Sequence, residues 1–145
     1  MENNRISYSL WAIMVALFLN GCGDQTGIKD EALSLLETEV FYHQSIVLPK
    51  GAILEVYLQD ISKVGKPAVI LSHASRVIKN NPPFVLQLAF PQHVIKNNHH
   101  YDIQASIKVQ GRLYFMSTVA VNPFEVGVAS PIKIIVEHID QKDVE

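Results

Sequence analysis

The chain has 145 residues, 48% of them hydrophobic, and a formal net charge of −2. That is long enough for one domain with a real core. The near-neutral charge argues against nucleic acid or anionic lipid as the main partner. A single cysteine excludes an intramolecular disulfide, so packing alone must hold the fold even in an oxidising compartment.

The first element is a signal over residues 1–21. Arg5 and the amino terminus precede ten apolar residues, Leu10 to Leu19, followed by Asn20-Gly21-Cys22. A charged n-region, an apolar h-region and a small residue before the cut site make a secretory signal. The apolar run is about half of the roughly 20 residues that cross the hydrocarbon, so it does not read as a transmembrane span. With Cys22 placed directly after Gly21, the pattern resembles a bacterial lipoprotein signal, in which the thiol is acylated and the cysteine becomes residue one. The resemblance implies recognition through Leu19, Gly21 and Gly23, and two or three acyl chains such as palmitate on Cys22. A single chain anchors only marginally, whereas two or more anchor stably. In Gram-negative cells an aspartate directly after such a cysteine retains the protein in the inner membrane. Here Gly23 holds that place, so the resemblance implies outer-membrane lipid as the partner of Cys22, on the periplasmic face. The alternative is a plain secretory signal with a free Cys22.

Residues 22–36 read as a lipidated flexible tether, polar and glycine-containing at its start. Behind Asp30 as an N-cap, Glu31 to Leu36 makes one helical turn or runs straight into the first strand. From there, over residues 37–140, the hydrophobic period is two. In Tyr101 to Gln110 every odd position is apolar and every even one polar, as in a strand with one buried and one wet face. Gln110-Gly111 offers the tight turn into Arg112 to Val119. Leu54, Val56 and Leu58 form one strand face. Phe84, Leu86, Leu88 and Phe90 form another, and Ile132, Ile134 and Val136 the last. Leu48-Pro49-Lys50-Gly51, Val64-Gly65-Lys66-Pro67, Asn80-Asn81-Pro82-Pro83, Asn122-Pro123 and Ser130-Pro131 punctuate the strands. The expectation is an all-β fold, a single antiparallel β-sandwich of about seven strands.

No catalytic or cofactor chemistry assembles in the sequence. Of six histidines, the adjacent His99 and His100 would diverge in a strand, and none is spaced as a chelate. Ser72 and His73 are strand neighbours that point apart, and no nucleophile elbow or phosphate-cradling loop occurs. The expectation is therefore no enzyme, no cofactor and no metal. Binding is the stronger candidate. Val69 with Ile70, Val85 with Ala89, and Ile135 with Ile139 put apolar groups opposite each strand's main stripe. Either the fold covers both faces, or an exposed patch or sheet edge takes a partner segment. In the second case the uncharged Val69, Leu71 and Val85 are the candidate partner-binding residues.

Three segments also resemble the YbaY/YscW-like lipoproteins. Tyr42, followed by Ile46 to Ser62, matches the signature LPPGAxLEVxLxDVS, with Lys50 where the family often has a second proline. Pro82-Pro83-Phe84 matches a PxxF region, and Tyr101 to Phe115 matches YxLxAxIxxxGxLxF. The match runs from about Val40 to Val121. Its residues are structural: Leu48, Pro49 and Gly51 at a turn, Leu54 and Val56 on a core face, Tyr101 opening a strand, and Gly111 at a positive φ. The resemblance implies a non-enzymatic pilotin, a lipoprotein that helps a secretin subunit of a type III secretion system reach and assemble in the outer membrane. The alternative is a general envelope lipoprotein binding a glycan or wall component, with Tyr57, Tyr101 and Tyr114 as its aromatic groups.

Overall fold

The computed structural model describes residues 32–139. Seven strands follow one another as β1 (Leu33–Phe41), β2 (Ile53–Asp60), β3 (Val69–Val77), β4 (Phe84–Pro91), β5 (Tyr101–Val109), β6 (Arg112–Ser117) and β7 (Ile132–His138). One 3-10 turn, Gln92–Val94, sits between β4 and β5. β1 begins at Leu33, inside the stretch read as tether. The period-two stripes become buried faces: Leu54, Val56 and Leu58 of β2, Phe84, Leu88 and Phe90 of β4, and Ile132, Ile134 and Val136 of β7 are all at most 4% exposed.

All seven strands belong to one sheet, in the order β3-β2-β5-β6-β7-β1-β4. The expected all-β fold of about seven strands is present, and its one sheet is continuous and nearly closed, barrel-like, with β3 and β4 as its terminal strands. The expectation of wholly antiparallel pairing is corrected, because β1 runs parallel to β7. That one parallel pair joins the first strand to the last and so links the two halves of the sheet. Alternation along a strand reports which face is buried, and it reads the same in a sandwich and a barrel.

Two turns show why their residues are needed. The Ala52 amide donates to the Pro49 carbonyl at 3.2 Å, and Gly51 has φ 82°, a left-handed conformation that costs glycine little. Between β5 and β6 the register pairs Val109 with Arg112. The two-residue loop Gln110-Gly111 has φ 51° and 78°, the paired positive angles of a twisted hairpin turn. The interior is aromatic on one side: Tyr42 stacks on Phe115 at 4.9 Å and tilts against Phe84 at 6.3 Å. Burying rings of this size contributes about 1.5–3 kcal/mol each.

Candidate functional site

β3 differs from every other strand in having no buried residue over its nine positions. Its sequence explains this. Ser72, Ala74 and Arg76 pair with Leu58, Val56 and Leu54 and so share the core-facing side, but they are too small or too polar to fill it. A register shift beside Leu58 leaves Leu71 without a direct partner, a bulge that twists the strand. Val69, Ile70 and Val77 are about half exposed.

β3 and β4 are consecutive, antiparallel and joined by residues 78–83, yet no backbone ladder closes them among the described residues. The Ser72 hydroxyl instead donates to the Ala89 carbonyl at 2.7 Å. Beyond that bond the seam widens into a groove of about 530 Å³ lined by Ala74, Ser75, Arg76, Val85, Leu86 and Gln87. Val85 stands half exposed on its rim. The three residues read from sequence as partner-binding candidates therefore lie on the two strands that flank one seam: Val69 and Leu71 on β3, Val85 on β4. Such a seam offers unpaired strand edges beside apolar side chains, the two ingredients of strand addition.

At the end of the barrel where β2 stops, Asp60 collects three hydrogen bonds. It accepts from the Ser62 hydroxyl at 2.5 Å, from the Ser62 amide at 2.9 Å, and from His99 Nδ1 at 2.6 Å. The Ser62 hydroxyl in turn accepts from the His100 amide at 2.8 Å. The Ser62 bonds first, and His99 after them, hold the Asp60 carboxyl down at about 2. Serine and histidine both hang on the carboxylate rather than on each other, so the imidazole is not placed to take the serine proton. The cluster is a clasp between the loops after β2 and before β5. We predict that Asp60→Asn lowers stability by about 1 kcal/mol at neutral pH, a value reduced from the full pKa shift because the carboxylate meets solvent. A depressed folded pKa stabilises above the unfolded value of about 4, and the contribution fades as pH falls towards 2. Denaturant titrations of both proteins across that range should converge at the acid end.

Sequence reading missed this clasp and one more polar anchor. Asp102, at a nominally wet position of β5, is 2% exposed and accepts from the Val121 amide at 2.9 Å. Ser72 and His73 do diverge: His73 stacks on Tyr57 at 4.5 Å on the outer face, while Ser72 bonds across the seam. Among the described residues no three His, Cys, Asp or Glu side chains are grouped to hold a metal. The three tyrosines of the glycan alternative form no platform, because Tyr101 is 4% exposed and Tyr114 meets His138 edge-on. Of the fold-motif residues, Leu54, Val56 and Tyr101 are in the core, Leu48 is packed against it, and Pro49, Gly51 and Gly111 are at turns. Leu19, Gly21, Cys22 and Gly23 lie outside the described residues.

The domain is small and all-β, and its sheet is open only between β3 and β4, which carry exposed apolar residues. Residues 31–130 match the type III secretion system lipoprotein chaperone family (YscW), and the chain belongs to that family. Among solved structures it resembles one described as an alternative pilotin from the type II secretion system of Vibrio cholerae. The likeness has a TM-score of 0.65 at 28% identity, over 74% of this chain and 99% of that one. No curated protein matches the sequence significantly.

Proposed function

We propose that this protein is a pilotin: a lipoprotein chaperone, acylated at Cys22 and held at the periplasmic face of the outer membrane, that carries a secretin subunit to its place of assembly. The observation that carries the reading is the open β3–β4 seam in a domain that covers nearly the whole length of a known pilotin. In this reading the lipid supplies the address and the seam supplies the grip. A secretin segment enters beside β3 and β4, pairs its backbone with a free edge, and seats apolar side chains against Ala74, Val85 and Leu86. No cofactor or metal takes part, and no covalent step is needed.

The test is affinity capture of the acylated protein from detergent-solubilised envelopes, with mass spectrometry of what is retained. A secretin subunit retained in stoichiometric amount is the expected result. Capture of wall fragments or glycan without a secretin would overturn it in favour of a general envelope lipoprotein.

A further inference from the structure

Three long loops leave the barrel at one end. Loop 61–68 follows β2, residues 92–100 connect β4 to β5, and loop 118–131 joins β6 to β7. The registers put them together: Leu33 pairs with Pro91, and Asp60 pairs with both Val69 and Tyr101. Phe124, from the third loop, packs its ring on Phe90 and Tyr101. β1 also begins at this end, at Leu33. The chain therefore enters the domain where the three loops gather.

The loops hold apolar side chains out of the core. Val64 and Val126 are wholly exposed, Val119 is 70% exposed, and Ile61, Phe124 and Val128 lie between 38% and 43%. An exposed apolar cluster of this kind on one end of a domain marks a surface that meets something apolar. Lys63, Lys66 and Lys96 are interleaved with it, against one acid, Glu125, on the same loops; Asp60 is committed to the clasp. Lys63 and Lys96 border a cavity of about 330 Å³ that also has Val69, Leu71 and Val94 in its wall. The chain's net negative charge thus conceals a locally cationic end. Basic residues also occur at the opposite end, at Lys50, Lys79 and Arg112, but there Val47 is the one comparably exposed apolar loop residue among those described. What separates the two ends is the apolar cluster and the chain entry.

Sequence fixes the distance from there to the lipid. Cys22 precedes Ala32 by ten residues, a reach of at most about 35 Å when extended and about 15–20 Å on average if flexible. We infer that this end of the barrel docks on the bilayer. Val64, Phe124 and Val126 enter the boundary between headgroups and acyl chains, and Lys63, Lys66 and Lys96 meet lipid phosphates. The inference rests on the acylation of Cys22. It also orients the seam: the Ser72–Ala89 bond lies on the membrane side of the groove, and the wide part at Arg76 and Val85 opens towards the periplasm, where a partner segment would approach.

The only tryptophan, Trp11, belongs to the signal, so the processed protein is free of tryptophan and a single introduced one reports its own position. Val126→Trp and Val47→Trp place reporters at the two ends, both at strongly exposed sites. The acylated proteins are reconstituted into vesicles of phosphatidylethanolamine and phosphatidylglycerol, with and without brominated acyl chains, and recovered by flotation. Val126→Trp should lose roughly half its emission in brominated vesicles, as expected for a side chain about 5–10 Å into the interface, and Val47→Trp should not change. Replacing Lys63 and Lys66 by Glu in the Val126→Trp protein should reduce that quenching. Floating protein in which neither reporter is quenched, or both are quenched alike, overturns the docking and leaves the anchor standing. Protein that does not float overturns both.

Discussion

Cys22→Ser should leave the domain folded and able to hold its secretin, while removing both from the outer membrane. Cys22 supplies the chain's only thiol, the atom to which the proposed lipid is joined, and hydroxyl for sulfur removes that attachment. The lost anchoring is large, since each buried methylene contributes about 0.8 kcal/mol and two chains already hold a protein firmly. Folding should be untouched, because the described core between Val40 and Val136 lies well beyond residue 22. Three measurements check this together: incorporation of labelled palmitate, fractionation of the envelope, and the location of the secretin. Loss of label with the secretin misplaced but still co-purifying is the expected outcome. A secretin that assembles normally beside unacylated protein would remove lipid placement from the mechanism.

Much of the fold could be read locally. Tyr101 to Gln110 alternates without interruption and becomes β5, and Gln110-Gly111 becomes its turn, because alternation and turn chemistry act over a few residues. The sheet's closure could not be read that way. It depends on β1 lying parallel to β7, a pairing of Thr38 with Ile132 and Val40 with Ile134 across most of the chain, and no local pattern encodes that choice. The identity of the edges follows from it, since β3 and β4 are terminal strands only in this order. For the same reason Val69, Leu71 and Val85 could be picked out as uncharged and apolar but not assigned to a common seam. Asp60 and His99 are 39 residues apart, and the clasp exists only once β2 and β5 are paired. Asp102 looked like an outward-facing acid because its position is even. It is buried because the loop carrying Val121 folds over β5 and leaves an amide that needs an acceptor.

Val85→Asp should weaken secretin binding at least about tenfold, the equivalent of about 1.4 kcal/mol, without unfolding the protein. Val85 points out of the barrel at 49% exposure, so a carboxylate there stays solvated in the free protein and the cost to stability should remain within about 1 kcal/mol. Once a partner segment covers the outer rim of the groove, that carboxylate loses solvent with no cation fixed in place to meet it, and its desolvation opposes binding. Arg76 on the facing strand borders the same groove and offers partial relief, so the expected loss of binding is partial rather than complete. Ile135→Asp is the matched control: Ile135 is similarly exposed, at 43%, but belongs to β7, which is paired on both sides and separated from the seam by β1 and β4. Titration of each purified variant against a secretin fragment, with melting curves alongside, separates the possibilities. Weaker binding in Val85→Asp with unchanged melting, and wild-type binding in Ile135→Asp, locates the grip at β3 and β4. Equal binding by both variants would move it elsewhere on the barrel. The strand edges would then be left exposed for a reason other than holding a partner, which runs against the usual tendency of proteins to cover or charge such edges.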